Sequence, residues 1–119
     1  MKMYIIVGCF IGFDIITGVV KALYKEGLNS TILRKGLFHK LSEVLAVFGA
    51  WLFEYGMTYL NLGVDIPLVE AVVTYISIME IISILENIST MNPKLAKFFK
   101  PFLEKLKDRE ENSDEKQGN

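Results

Sequence analysis

Four carboxylates stand where carboxylates are expensive. Asp14, Glu54, Glu70 and Glu80 each lie inside a run of apolar residues. Acids in that setting serve a small set of purposes: they line a water or ion path, relay protons, or hydrogen-bond to a neighbouring helix. Other chemistry is poorly represented. Cys9 and His39 are the single cysteine and histidine of the chain, so an internal disulfide and Cys/His metal spacings are ruled out. Cys9 lies in an apolar run, where a small packing role is expected. No nucleophile–base pair and no phosphate-binding loop is evident. The expectation is a non-enzymatic protein with no catalytic residues, no cofactor and no metal.

Around the acids, polar residues recur at helical spacing. Asp14, Thr17, Gly18 and Lys21 fall at i, i+3, i+4 and i+7, hence on one helical face. Lys21 is two turns from Asp14, too far for a direct pair, and is placed to snorkel to an interface. Glu70, Thr74, Ser77, Glu80 and Asn87 occupy an arc of about 140° at ~100° per residue. Ser83 and Glu86 lie off that arc and widen it toward the C-terminal end. Such a stripe suits either a lumen or a hydrogen-bonded helix interface, and the pattern leaves both open. Gly8 and Gly12 form a GxxxG spacing, which permits close helix approach.

The runs holding these residues read as membrane spans. The chain has 119 residues, 51% of them hydrophobic. Met3–Leu23, Val44–Leu62 and Ile66–Leu85 are each near the ~20 residues that cross a bilayer. A mid-span charge costs about 2.5–3.5 kcal/mol, while each Leu, Ile, Phe or Val returns a few tenths. With roughly ten such residues per run, one or two acids are affordable. From Leu41 to Pro93 there is no Lys or Arg, which a soluble helix with a charged face would not tolerate. The first run has no A-x-A-like cleavage site and precedes two further runs, so it is expected to be retained as a span.

Basic residues then orient the spans. Lys21, Lys25, Arg34, Lys35 and Lys40 occupy the first connection, whereas Asn61–Ile66 carries only Asp65. Lys94, Lys97, Lys100, Lys105, Lys107 and Arg109 follow Pro93. The positive-inside rule places the first connection and the C-terminus in the cytoplasm. The expected fold is an all-α integral membrane protein with three transmembrane helices, N-out and C-in. The membrane domain covers residues 1–92, with spans at about 3–24, 43–61 and 66–89. Gly27 is expected to stop the first helix and Asn29–Thr31 to cap the next. Leu33, Leu37 and Leu41 suggest a short interfacial helix leading into the second span. A basic amphipathic helix is expected at 93–109, with Leu95, Phe98, Phe99, Phe102 and Leu106 on one side and Pro101 interrupting it. Residues 110–119 are polar and expected to be disordered.

FDIITGVVKALYKEGLNSTILRKGLFHK resembles the D-x-x-T-G-x-x-x-A…K-x-N-S…K-G…K signature of the phage holin family that includes clostridial toxin-secretion holins. SIMEIISILENIS, followed by P-x-L-x-K-F and more lysines, resembles that family's E-x-x-S-I-x-E-N segment and basic C-terminal end. The matching positions include Asp14, Thr17, Gly18, Lys35, Lys40, Glu80, Ser83, Glu86 and Asn87. The resemblance covers about residues 10–107. It implies a small multi-pass protein of the bacterial cytoplasmic membrane that homo-oligomerises among membrane lipids and makes holes. Those holes release a cell-wall hydrolase or a toxin, a functional link that needs no direct contact. An antiholin or accessory subunit, or a small ion channel, would share the same spans. Nucleic acid is not an expected partner, because the lysines flank spans and act on topology.

Overall fold

The computed structural model describes residues 2–25, 27, 29–61, 63 and 65–118, with side chains described as far as Glu110. Four helices follow in order: α1 (Lys2–Lys25), α2 (Ser30–Leu60), α3 (Leu68–Met91) and α4 (Pro93–Gly118). No strand occurs among the described residues. α1, α2 and α3 are long and apolar enough to cross a membrane.

Local chemistry ends each helix. The Gly27 N–H donates to the Ala22 carbonyl at 2.8 Å, and Gly27 takes φ +90°, the left-handed conformation that closes a helix at little cost for glycine. Asn29 then caps α2. Its side-chain oxygen accepts from Thr31 N at 2.9 Å and Ile32 N at 3.4 Å, meeting two of the donors a helix start leaves unpaired. Asn61 ends α2 in the left-handed region, φ 50° and ψ 55°. Asn92 closes α3 and opens α4: its N–H donates to Ile88 O at 3.0 Å. Its side chain accepts from Lys94 N at 3.2 Å and Leu95 N at 3.4 Å. Pro93 occupies the first turn of α4, where its missing donor costs nothing. Glu26, Leu28, Leu62 and Val64, in the two connections, lie outside the described residues.

At ~1.5 Å per residue α2 is about 46 Å long, more than a ~30 Å hydrocarbon core requires. The interfacial segment around Leu33–Leu41 and the second span are one continuous helix. α4 keeps its helical backbone through Pro101 and on to Gly118, past residue 109, where the amphipathic segment is expected to end. Beyond Glu110 the expected charged tail lies outside the described side chains.

The chain divides into two compact units. The first comprises residues 1–28 and 77–119: α1, the C-terminal part of α3, and α4. Its buried apolar residues are Val7, Ile11, Ile78, Ile82 and Ile84. Lys107 Nζ lies 3.1 Å from Glu86 Oε1. Lys107 of α4 thus lies beside Glu86 of α3, so α4 does not project straight on from α3. The second unit, residues 29–76, comprises α2 and the start of α3. Ala50, Val69, Val73 and Ile76 are buried.

Most of α2 is uncovered. Leu45, Phe48, Leu52, Tyr59 and Leu60 are each more than half exposed. Phe48, Trp51, Tyr55 and Tyr59 form a ladder of rings at centroid spacings of 5.8, 5.4 and 4.7 Å. So much exposed apolar surface would aggregate in water. In hydrocarbon it is the expected exterior, since a helix satisfies its own backbone there.

Candidate functional site

The heptad-like face of α1 begins apolar and turns polar. Val7, Ile11, Asp14 and Thr17 are its buried residues. On α3, Glu80, Ile84 and Asn87 repeat at i, i+4 and i+7 and are likewise buried. Within the first unit these faces meet through hydrogen bonds. The Asn87 amide Nδ2 donates to Asp14 Oδ1 at 3.1 Å and to Thr17 Oγ1 at 3.0 Å. Thr17 Oγ1 in turn donates to the Asp14 backbone carbonyl at 3.1 Å.

The donor count explains why an amide stands at position 87. Thr17 spends its single hydroxyl proton on the Asp14 carbonyl, so its oxygen can only accept from Asn87. The Asp14 carboxylate accepts as well. One side chain must therefore offer two protons from one nitrogen, and a carboxamide does so. These bonds offset part of the penalty of burying these groups, which would be severe for any member left alone.

Gly18 sits beside the cluster. A Cβ there would lie 3.8 Å from Asn87 Nδ2, an ordinary contact, so α1 presents a small residue where the amide approaches. Glu80, two turns before Asn87 on the same face of α3, is only 2% exposed. Lys21 is half-buried on the turn after Gly18.

The remaining residues of the expected stripe are not drawn into the cluster. Glu70 and Thr74 are exposed and Ser77 is half-buried, so the arc straddles the edge of the buried face. Ser83 is half-buried and Glu86 exposed, the latter paired with Lys107. Glu54 is half-buried on α2, and its carbonyl accepts from Thr58 Oγ1 at 3.1 Å. Gly8 is exposed and Gly12 half-buried. Nothing lies within 4 Å of a Cβ built at either, so both are open to an incoming helix. Lys25, Arg34 and Lys35 are exposed and Lys40 half-buried.

Two features went unnoticed in the sequence. Glu43 Oε1 takes His39 Nε2 at 3.0 Å and Lys40 Nζ at 3.7 Å, where α2 leaves its basic N-terminal third. The i,i+3 and i,i+4 spacings of these residues were the available signal. The aromatic ladder on α2 was legible the same way, as aromatics at intervals of three and four. Among the described residues, no group of three or more His, Cys, Asp or Glu is placed to hold a metal ion.

No curated protein and no solved structure matches the chain. The model of the bacteriophage holin family matches residues 1–108. That match takes in α1, α2, α3 and most of α4, including all three residues of the buried cluster. The chain belongs to the bacteriophage holin family, a multi-pass protein of the cytoplasmic membrane.

Proposed function

We propose that this protein is a non-enzymatic, pore-forming holin. It accumulates N-out and C-in in the cytoplasmic membrane, homo-oligomerises, and permeabilises the membrane for release of a cell-wall hydrolase or a toxin. The observation that carries the reading is the hydrogen-bonded set Asp14–Thr17–Asn87. It is buried between helices whose other faces are apolar and exposed. The side chains best suited to line an aqueous lumen are thus committed to one another, which describes a closed subunit.

Opening exchanges these internal hydrogen bonds for bonds to water. The exchange is close to balanced once water is present and strongly unfavourable in dry lipid. A single subunit therefore stays closed. Many subunits that share a nascent water-filled lumen open together, which gives an abrupt onset above a threshold density. Gly8 and Gly12, open on α1, supply a face for approach of a second copy.

The test is timed expression in a bacterium with a potential-sensitive dye, together with release of a co-expressed cytoplasmic hydrolase. The expected record is a delay followed by sudden collapse of potential and hydrolase release. Asp14→Leu and Glu80→Leu are expected to shift the onset while leaving membrane levels unchanged. Unchanged potential at high membrane levels would sink the pore reading. A delay imposed on another lysis system, without collapse, would assign an antiholin role instead. Selective conductance without hydrolase release would assign a small channel.

A further inference from the structure

α4 carries more apolar surface than it buries. Ala96, Phe99, Leu103, Leu106 and Glu110 are its half-buried positions among the described side chains. Leu95, Phe98 and Phe102, which belong to the same apolar side in sequence, are exposed at 37%, 63% and 50%. The rings of Phe98 and Phe102 lie 5.8 Å apart as one outward aromatic pair. At ~100° per residue, Lys94, Lys105 and Arg109 fall within the same arc of about 100° as these three residues. All three basic residues are exposed. Glu104 and Asp108 fall outside that arc, on the side shared with Lys97, Lys100 and Lys107. The outward edge of α4 is therefore aromatic and basic, with no acid in it.

The position of this edge is as informative as its composition. Only Asn92 separates α3 from α4, and Glu86 directly follows Leu85, the end of the long apolar run of α3. The Lys107–Glu86 contact at 3.1 Å places that part of α4 beside the last turns of α3, near the end of the third span. Burial of aromatic rings together with attraction of basic residues to anionic headgroups is the combination that seats interfacial helices.

We propose that the Leu95–Phe98–Phe102 edge of α4, with Lys94, Lys105 and Arg109, is a docking surface for anionic phospholipid in the leaflet at the C-terminal end of α3. The Ala96–Phe99–Leu103–Leu106 face stays turned inward. Each basic residue close to an anionic surface strengthens such attachment by about fivefold, and salt weakens it. The proposal requires the spans and not the pore, so its test reads no conductance.

The full chain carrying Trp51→Phe and Phe98→Trp is reconstituted into vesicles of phosphatidylcholine alone or with about a third phosphatidylglycerol. Incorporation is checked by flotation. Quenching of the indole by acrylamide, a neutral quencher, is then compared. Phosphatidylglycerol is expected to lower the quenching constant at least threefold. Lys105→Gln with Arg109→Gln should abolish that response, and Lys97→Gln with Lys100→Gln should preserve it. Both pairs remove two positive charges, so a defect of folding or insertion due to lost charge would appear in both. Equal quenching in the two lipids would overturn the proposal. So would equal loss of the response in the two charge pairs, which would make total charge the cause and not this edge.

Discussion

Asn87 earns its place by proton count: it is the side chain that serves Asp14 and Thr17 at once. Interhelical hydrogen bonds in membranes contribute about 0.6–2 kcal/mol each. A double-mutant cycle of Asp14→Leu and Asn87→Leu should give a coupling of about 0.5–2 kcal/mol, measured by denaturant unfolding in mixed micelles. Additive effects would mean the bond contributes nothing to folding. Gly18 allows a second check. Because a Cβ would lie 3.8 Å from the amide, Gly18→Ala should be neutral or stabilising by less than about 1 kcal/mol. Gly18→Leu should displace Asn87 and cost about as much as Asn87→Leu. An Ala variant as damaging as the Leu variant would contradict this packing.

Helix ends here depend on asparagine and glycine, and their effects are local. Asn29 satisfies Thr31 N and Ile32 N. Asn29→Ala should cost about 1 kcal/mol at the start of α2, seen as faster amide hydrogen exchange confined to the first turn. Exchange that speeds up along the whole of α2 would show that the cap governs more than this turn. α4 illustrates an element whose two sides do different things. Its apolar arc is continuous in sequence, yet the fold turns one part inward and leaves Phe98 and Phe102 outward. Its exposed ion pair with Glu86 contributes little stability by itself; the pair marks where α4 lies and does not hold it there.

For the whole molecule, topology rests on charge. Lys21 lies at the end of the first span and Lys25, Arg34, Lys35 and Lys40 follow before the second, whereas no basic residue lies between the second and third. A green fluorescent fusion at the C-terminus should glow, and an alkaline phosphatase fusion there should be inactive. The reverse pattern would invert the assigned orientation. Replacing Lys25, Arg34, Lys35 and Lys40 together by Gln should yield a mixed population of orientations, read by protease access from outside the cell.

Much of this protein was legible before any coordinates. Spans, caps and orienting charges follow from local rules: hydropathy over ~20 residues, a left-handed glycine, an asparagine before a helix, and the placement of lysines. Each acts within a few residues of itself, so one sequence suffices to read it. Asp14, Thr17 and Gly18 could be placed on one face of α1, and Glu80 and Asn87 on one face of α3, by helical period alone. That Asp14 and Thr17 bond to Asn87, while Glu70 and Thr74 of the same stripe stay exposed, could not. Partners 73 and 70 residues apart depend on how α1 and α3 rotate about their axes. That rotation is set by packing over the entire contact, and periodicity does not specify it. The same holds for α4, where an apolar arc wider than one contact needed the fold to decide which edge turns inward.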